Sequence, residues 1–302
     1  MKKYDRYNSI KFRIVKVLRF IYKLRCFRYN LHNSNVNFIL HPKNNLSELI
    51  YIGKTYEPIE TKFCKNYISE GDIVFDIGAN IGYFTTIFSH KVGKNGKVIA
   101  FEPGFQTFAL LCRTIEALRL DNAIACPFAV WDKSEILSFN NSTSGDDAQQ
   151  SFGERDKFLG NTYASPVSAI SGNDLLNSEY FRNIGLPSFI KIDVEGVEPQ
   201  VLEGFSDILS VSNENPPVLL VECNTEALLA CNNLPHHIMD ILSSIYDLYY
   251  NELQWPVWFT NSTNFVRLES LKDEDILPEI NILAVPKKGC FRERALKALE
   301  IQ

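Results

Sequence analysis

Strand-like apolar runs alternate with stretches of helical periodicity along most of this chain. The strand-like runs cover residues 73–77, 97–101, 124–130, 189–193, 218–223, 246–250 and 282–285. Helical stretches lie between several of them, at residues 84–91, 106–118, 200–209 and 236–244. Strands that alternate with helices form largely parallel sheets, which helices cover on both faces. We therefore predict an α/β fold.

The chain is expected to divide into a main domain and shorter flanking segments. The main domain is predicted at residues 71–290, with a polar insertion near 141–164. Residues 29–70 are predicted to be a lead-in: the runs at 35–40 and 48–53 would pair as a hairpin, and residues 57–68 would form a helix. Residues 291–302 are expected to be a C-terminal tail.

The first 28 residues differ in charge from the rest of the chain. They contain ten Lys or Arg residues and one acid, a balance of +9, which leaves −14 for the remaining 274 residues. Ile14, Leu18 and Ile21 lie at helical spacing among these cations, as in a basic amphipathic helix that rests on an anionic membrane. The alternative is a helix that packs on the domain or on a second subunit. Nucleic acid is not an expected partner, because the acidic body would repel it.

The cysteine pattern and the short apolar runs of the basic segment bear on location. The seven cysteines are scattered, without a CxxC pair or paired Cys/His spacing, so we expect neither a zinc site nor a disulfide framework. The apolar runs within residues 1–28 are too short for a signal peptide or a membrane span. We expect a cytoplasmic protein, with the inner face of the membrane as an alternative location.

The segment "VFDIGANIGYFT" at residues 74–85 indicates a ligand-binding loop. A predicted strand ends at Asp76, and Gly78 and Gly82 then allow the backbone to turn tightly and approach a ligand. Ligands of open α/β sheets bind at the carboxyl ends of the strands. Glu102 ends the next strand, 20 residues after Gly82, where a carboxylate can accept hydrogen bonds from a ribose diol.

Asp76 distinguishes between two cofactors that this pattern fits. A dinucleotide site needs G-x-G-x-x-G, whereas this chain has D-x-G-x-N-x-G, and a carboxylate at the strand end would repel a pyrophosphate. S-adenosylmethionine has no phosphate, and it carries an ammonium, a sulfonium and a ribose diol. We expect S-adenosylmethionine rather than NAD(P). The alternative role for Asp76 is to cap the following helix.

Several segments together resemble the FkbM-type methyltransferases that use S-adenosylmethionine. The resemblance runs from about residue 36 to 287 and rests on "GDIVFDIGANIGYFT", "VIAFEP", "FIKIDVEGVEPQVLEG", "PPVLLVECN" and "INILAVPK". It implies a class I methyltransferase, Rossmann-like fold with a seven-stranded sheet in the order 3-2-1-4-5-7-6, strand 7 antiparallel. It also implies O-methylation of a hydroxyl on a sugar, glycan, glycolipid or natural product. The basic segment and the long insertion are not part of the family pattern.

The resemblance assigns cofactor roles to positions of this chain. Asp76, Gly78, Asn80 and Gly82 would form the cofactor loop, and Glu102 would hold the ribose hydroxyls. The turn that contains Ala129, Trp131 and Asp132 would lie beside the adenine. Trp131 would stack on the adenine or belong to the core, and Asp132 would accept from the adenine amino group or cap a turn.

The catalytic carboxylates are expected in "KIDVEGVE", at the end of the fourth predicted strand. A hydroxyl becomes a good nucleophile when a base takes its proton. We expect Asp193 to be that base or to orient the acceptor, with Glu195 second; the two converge only if the chain turns there, which Gly196 favours. The alternative is that these acids order the loop and bind Lys191.

The sequence leaves open two other hypotheses about the catalytic groups. Asp193, Glu195, Glu222 and Asn224 follow adjacent strands and offer oxygen ligands for Mg²⁺, although we expect no metal. His236 and His237 are alternative bases. The alternatives to a methyltransferase are a non-catalytic nucleotide-type binding protein at a membrane surface and an NAD(P)-dependent oxidoreductase.

Overall fold

A computed structural model describes residues 27–31, 36–41, 44–53, 55–142, 152, 162–252, 264–268 and 279–300. The predicted basic helix lies outside these residues, apart from residues 27 and 28. The predicted insertion also lies outside them, apart from its ends and Phe152. The division of the chain into parts stays a prediction.

A central sheet carries the fold. Its strands are β3 (Ile73–Ile77), β4 (Lys97–Phe101), β5 (Ala123–Cys126), β9 (Phe189–Ile192), β10 (Val218–Asn224), β11 (Tyr246–Glu252), β12 (Val266–Arg267) and β13 (Glu279–Pro286). The order across the sheet is β12-β11-β13-β10-β9-β3-β4-β5. The five strands from β10 to β5 are parallel, and β13 lies antiparallel between β10 and β11.

The predicted α/β fold with a mostly parallel sheet is confirmed. The described residues place eight strands in this sheet rather than seven, because the short β12 pairs with β11. The predicted strand at residues 124–130 is wrong as one element. It divides into β5 of the central sheet and β6 (Ala129–Trp131) of another sheet.

Helices cover both faces of the central sheet. Alternate residues of a strand point to opposite faces, so in β3 Val74 joins one core and Phe75 the other. The Val74 core includes α2 (Pro58–Tyr67), α3 (Tyr83–Val92) and α10 (Cys290–Glu300). The Phe75 core includes α5 (Gly172–Asn177), α6 (Glu179–Arg182), α7 (Glu198–Gly204), α8 (Thr225–Ala230) and α9 (Pro235–Leu242). Helix α4 (Phe105–Leu118) follows β4 and packs on strand β2 (Asn37–Leu40).

A second sheet was not predicted. It has the order β6-β8-β7, with β7 at Glu135–Ser142 and β8 at Thr162–Ser171. Strands β7 and β8 form an antiparallel pair, and β6 lies parallel to β8. The predicted insertion at 141–164 therefore begins and ends inside two strands. The segment was interpreted as a loop because it is polar and has little apolar periodicity.

The lead-in and the tail also differ from prediction. Strand β1 (Phe27–Asn30) pairs with β2 (Asn37–Leu40), whereas residues 48–53, predicted as the second hairpin strand, belong to helix α1 (Asn45–Gly53). The helix predicted at 57–68 is confirmed as α2. The expected C-terminal tail contains α10, which packs against α2 and β13 and buries Ala295 and Ala298. Among the described helices, none combines the length and apolar character needed to cross a membrane.

Candidate functional site

A cavity of about 500 Å³ opens at the carboxyl ends of β3, β4, β9 and β10. This is the edge at which open α/β sheets bind ligands. Of the predicted site residues, the cavity is lined by Asp76, Gly78, Asn80, Glu102, Ala129, Asp193 and Glu195. Gly82, Trp131 and Asp132 do not line it.

The loop after β3 brings the backbone very close to the turn after β9. Gly78 has a φ of 79°, and a Cβ at this position would overlap the backbone oxygen of Asp193. The predicted glycine is therefore required by a contact within the protein. Because of this contact, the cofactor loop and the turn that carries Asp193 are adjacent walls of one cavity.

Asp76 lies near the end of β3, and its side chain is almost fully buried. Its Oδ2 atom accepts a hydrogen bond of 2.5 Å from the Thr85 hydroxyl on α3. Its Oδ1 atom is buried and has no hydrogen-bond partner among the described residues. Burial raises the pKa of Asp76, while Lys191 and the Thr85 hydroxyl act in the opposite direction. A cationic ligand in the cavity would supply the partner that Oδ1 lacks.

Glu102 is held between two backbone N–H groups. Its Oε2 atom accepts from the Asn80 N–H at 3.0 Å, and its Oε1 atom accepts from the Gly104 N–H at 2.8 Å. Asn80 has a φ of 50°, and its Oδ1 atom accepts from the Ile81 N–H at 2.7 Å. These two hydrogen bonds fix the direction of the carboxylate at the cavity. Gly82 is the N-cap of α3.

The wall that starts at β6 is aromatic. Ala129 and Val130 line the cavity together with Phe139 of β7 and Phe152. The Trp131 ring lies 4.9 Å from the Phe152 ring, so it supports a ring of the cavity wall without lining the cavity itself. Asp132 is exposed. This wall could hold an aromatic base, but its phenylalanines lie on elements that the sequence did not identify.

The chain turns sharply after β9, as Gly196 indicated. Glu195 and Gly196 have φ values of 59° and 107°, and a Cβ on Gly196 would overlap the Ala227 backbone oxygen. Glu198 holds the turn: its Oε1 atom accepts from the N–H groups of Val194 and Gly196 at 3.1 and 3.2 Å. Burial raises the pKa of Glu198 to about 7, although these backbone hydrogen bonds oppose the shift.

Lys191 is a buried cation beside the turn. Its Nζ atom lies 2.6 Å from Asp193 Oδ2 and 4.8 Å from the centre of the Phe84 ring. Burial disfavours the ammonium, but the carboxylates of Asp193, Glu57 and Asp76 outweigh burial and raise the Lys191 pKa. Lys191 therefore stays charged, and the alternative in which Asp193 binds Lys191 is realised in the structure.

Three carboxylates converge above β9 and β10. Single oxygen atoms of Asp193, Glu195 and Glu222 all lie within 4.8 Å of one another. The predicted convergence of Asp193 and Glu195 is thus confirmed. Glu222 is buried, and its Oε2 atom has no hydrogen-bond partner in the described part of the chain. Burial, and then the neighbouring Asp193, Glu195, Glu279 and Glu198, raise the Glu222 pKa well above its ordinary value.

The cavity is strongly acidic. Among the described residues that line it, one is basic, Lys191, and seven are acidic: Glu48, Asp76, Glu102, Asp193, Glu195, Glu222 and Glu279. Glu48, Tyr56 and Glu279 were missed in the sequence because they come from α1, the loop before α2, and β13, far from the glycine loop. The other alternative bases, His236 and His237, lie on α9 and do not line the cavity.

Comparison with known proteins agrees with this architecture. The family model of the FkbM methyltransferase domain matches residues 76–249. The hexuronic acid methyltransferase AglP of Haloferax volcanii is 28% identical over 144 residues, which cover 48% of this chain and 54% of that protein. Methyltransferase 1 of Beauveria bassiana is 27% identical over 152 residues, which cover 46% of this chain and 60% of that protein. The chain thus matches little more than half the length of these relatives.

Solved structures of methyltransferases also align with the chain, at low sequence identity. The methyltransferase FkbM of Methylobacillus flagellatus KT aligns with a TM-score of 0.41 and 14% identity, covering 71% of this chain and 44% of that chain. An O-methyltransferase of Bacillus cereus in complex with SAH aligns with a TM-score of 0.42 and 13% identity, covering 79% of this chain and 90% of that chain.

Proposed function

This chain belongs to the FkbM family of methyltransferases, and we propose that it transfers a methyl group from S-adenosylmethionine to a hydroxyl of a sugar, glycan or natural product. The observation that carries the proposal is one cavity that joins two walls. Asp76 and Glu102 stand on one wall, and Asp193 and Glu195 stand on the other. Residues that suit a cationic nucleoside are thus adjacent to carboxylates that can accept a hydrogen bond from a hydroxyl group.

The residues of the cofactor wall fit S-adenosylmethionine. The buried Asp76 Oδ1 atom has no donor among the described residues, and the ligand's ammonium would supply one. The fixed oxygens of Glu102 would accept from the two ribose hydroxyls. When bound, the cofactor supplies an electrophilic methyl group. The net negative lining opposes the pyrophosphate of NAD(P) and favours the sulfonium.

On the acceptor side, we assign Asp193 and Glu195 as the catalytic carboxylates. The Lys191 ammonium fixes Asp193 in one orientation, so Asp193 can accept a hydrogen bond from the acceptor hydroxyl and hold its oxygen in place. The relative AglP is named a hexuronic acid methyltransferase, which supports a sugar acceptor. The acidic lining of this cavity favours a neutral or amine-bearing sugar over a uronate.

Two experiments test the proposal. In a thermal-shift assay, S-adenosylmethionine at about 100 times its Kd should stabilise the protein by roughly 2.7 kcal/mol, whereas NADH should not. Stabilisation by NADH alone would overturn the proposal. The protein is then incubated with isotope-labelled S-adenosylmethionine and a panel of neutral sugars, amino sugars and hexuronic acids, and methylated products are sought by mass spectrometry. Cofactor binding without transfer to any hydroxyl of the panel would favour the non-catalytic binding protein.

A further inference from the structure

One carboxyl group of the cavity, that of Glu222, has no role in the methyl transfer as proposed above. Glu222 lies near the end of β10, between β9 and β13, opposite Asn281 in the sheet register. It is 7% exposed, it lines the cavity, and its Oε2 atom is buried without a hydrogen-bond partner among the residues described. An unpartnered polar atom in such a position costs free energy unless a ligand completes it.

Glu222 and Asp193 have neighbours of opposite charge, which indicates different roles for the two carboxyl groups. Asp193 Oδ2 forms an ion pair with the Lys191 ammonium at 2.6 Å, so this oxygen already has a cationic partner that holds it in place. Glu222 has carboxylates around it instead. Asp193 and Glu195 face it from the turn after β9, Glu279 faces it from β13, and Glu198 faces it from the start of α7.

We propose that Glu222 is the group that takes the proton of the acceptor hydroxyl, and that it carries a proton of its own until the cofactor binds. This inference rests on the proposed methyl transfer. Like charges at short distance disfavour ionisation of all three clustered carboxyls together, so the buried and unpartnered one holds a proton most easily. The positive charge of bound S-adenosylmethionine favours release of that proton, and Glu222 is then a carboxylate beside the acceptor.

Methyl transfer to the acceptor forms one bond, breaks one bond and moves one proton. The acceptor oxygen forms a bond to the methyl carbon of S-adenosylmethionine, the carbon–sulfur bond breaks, and its electron pair stays on sulfur. The hydroxyl proton passes to the Glu222 carboxylate, while Asp193 holds the oxygen in position. A base whose pKa is raised by burial and by like charges toward working pH suits this task, and the Glu222 pKa is raised in this direction.

The first test needs no acceptor. S-adenosylmethionine is titrated calorimetrically at pH 7 into the wild-type protein and into Glu222→Gln, in phosphate and in Tris, which differ in ionisation enthalpy. We expect Glu222→Gln to release fewer protons than the wild type, by a fraction of a proton up to about one, because groups such as Asp76 contribute equally to both. Glu226→Gln is the matched control, an exposed glutamate on α8, and it should behave like wild type. Equal proton release by wild type and Glu222→Gln would overturn the inference.

The second test uses the acceptor that takes the label in the panel assay. Glu222→Gln should lower kcat by about 10²-fold or more and remove the rise of kcat with pH, while cofactor affinity is preserved. Glu222→Asp should retain more activity than Glu222→Gln. Formate added to Glu222→Ala should restore part of kcat, because it can enter the space left by the side chain; a merely structural glutamate would give no such rescue.

Two outcomes would overturn the inference while leaving the methyltransferase intact. One is Glu222→Gln with wild-type kcat and pH profile. The other is a wild-type enzyme that a chelator inactivates and Mg²⁺ restores, because Asp193, Glu195 and Glu222 would then be metal ligands. Failure of S-adenosylmethionine to bind the wild type would instead count against the proposed function itself.

Discussion

The Nζ atom of Lys191 and the Oδ2 atom of Asp193 lie 2.6 Å apart on the floor of the cavity. Both residues come from one strand end, two positions apart, so their side chains share one face of the sheet. The side chain of Lys191 is 5% exposed and that of Asp193 is 22% exposed. The cation is therefore the buried member of the pair, and the carboxylate reaches the cavity.

Lys191→Met should destabilise the protein strongly. Removal of one partner of a buried ion pair leaves the other uncompensated, which costs roughly 3–5 kcal/mol. Asp193→Asn alone leaves the cation with Glu57 and Asp76, which also raise the Lys191 pKa, so its cost should be smaller. The free energy of unfolding in urea measures both. The double variant should lose about 1–3 kcal/mol less than the sum of the single losses, and additive losses would contradict a coupled pair.

Asp193→Asn should also lower kcat, because Asp193 orients the acceptor hydroxyl even though it is not the base. The side chain keeps its size but loses its charge and its bond to the Lys191 ammonium, so the acceptor hydroxyl is misplaced. We expect kcat to fall by about 10²-fold and the Kd of the cofactor to change little. The rise of kcat with pH should persist, because Glu222 remains. Glu195→Gln is the comparison and should lower kcat by a smaller factor. An unchanged kcat in Asp193→Asn would remove Asp193 from the catalytic residues.

The cofactor wall was predictable from sequence because its residues are local. Asp76, Gly78 and Asn80 lie within five residues of one another, and only helix α3 and strand β4 separate them from Glu102. Spacing along the chain thus determined distance in space. The function of Gly78 was interpreted as an approach to the ligand, whereas in the structure this residue packs on the backbone of Asp193.

The rest of the cavity lining was only partly predictable because its residues are distant in sequence. Tyr56, Phe139 and Glu279 come from three separate parts of the chain, and no spacing rule connects them. Phe139 lies on β7, and neither β7 nor β8 was predicted from the sequence. The predicted contact of residues 1–28 with an anionic membrane stays a prediction, because residues 1–26 lie outside the described part of the chain.

Glu102→Ala should weaken the cofactor complex and loosen the cofactor loop. A charged acceptor for the ribose hydroxyls is lost, so affinity for S-adenosylmethionine should fall by roughly 1.5–3 kcal/mol in calorimetric titration. The N–H groups of Asn80 and Gly104 also lose their acceptor, which should lower the free energy of unfolding by about 1 kcal/mol. Glu116→Ala, an exposed glutamate on α4, is the control. Wild-type cofactor affinity in Glu102→Ala would mean that the ribose binds elsewhere.

Glu198→Gln should reduce the dependence of stability on pH. The pKa of Glu198 is about 7 in the folded protein, against an ordinary value of 4.5 that applies when the chain unfolds. Between these two values the folded state keeps a proton that the unfolded state has lost, so the free energy of unfolding falls as pH rises from about 4.5 to about 7. The full loss attributable to Glu198 is roughly 3 kcal/mol and is present above pH 7.

Glutamine retains an oxygen that can accept from the N–H groups of Val194 and Gly196, so the turn after β9 should keep its shape. Urea unfolding at pH 5 and pH 8 should therefore show a smaller decline in Glu198→Gln than in the wild type. Other buried carboxyls with raised pKa values, such as Glu60, contribute a decline that both proteins share, and the difference isolates Glu198. Glu203→Gln, an exposed residue of α7, should follow the wild type. An equal decline in wild type and Glu198→Gln would show that Glu198 is already ionised in the folded protein at pH 5.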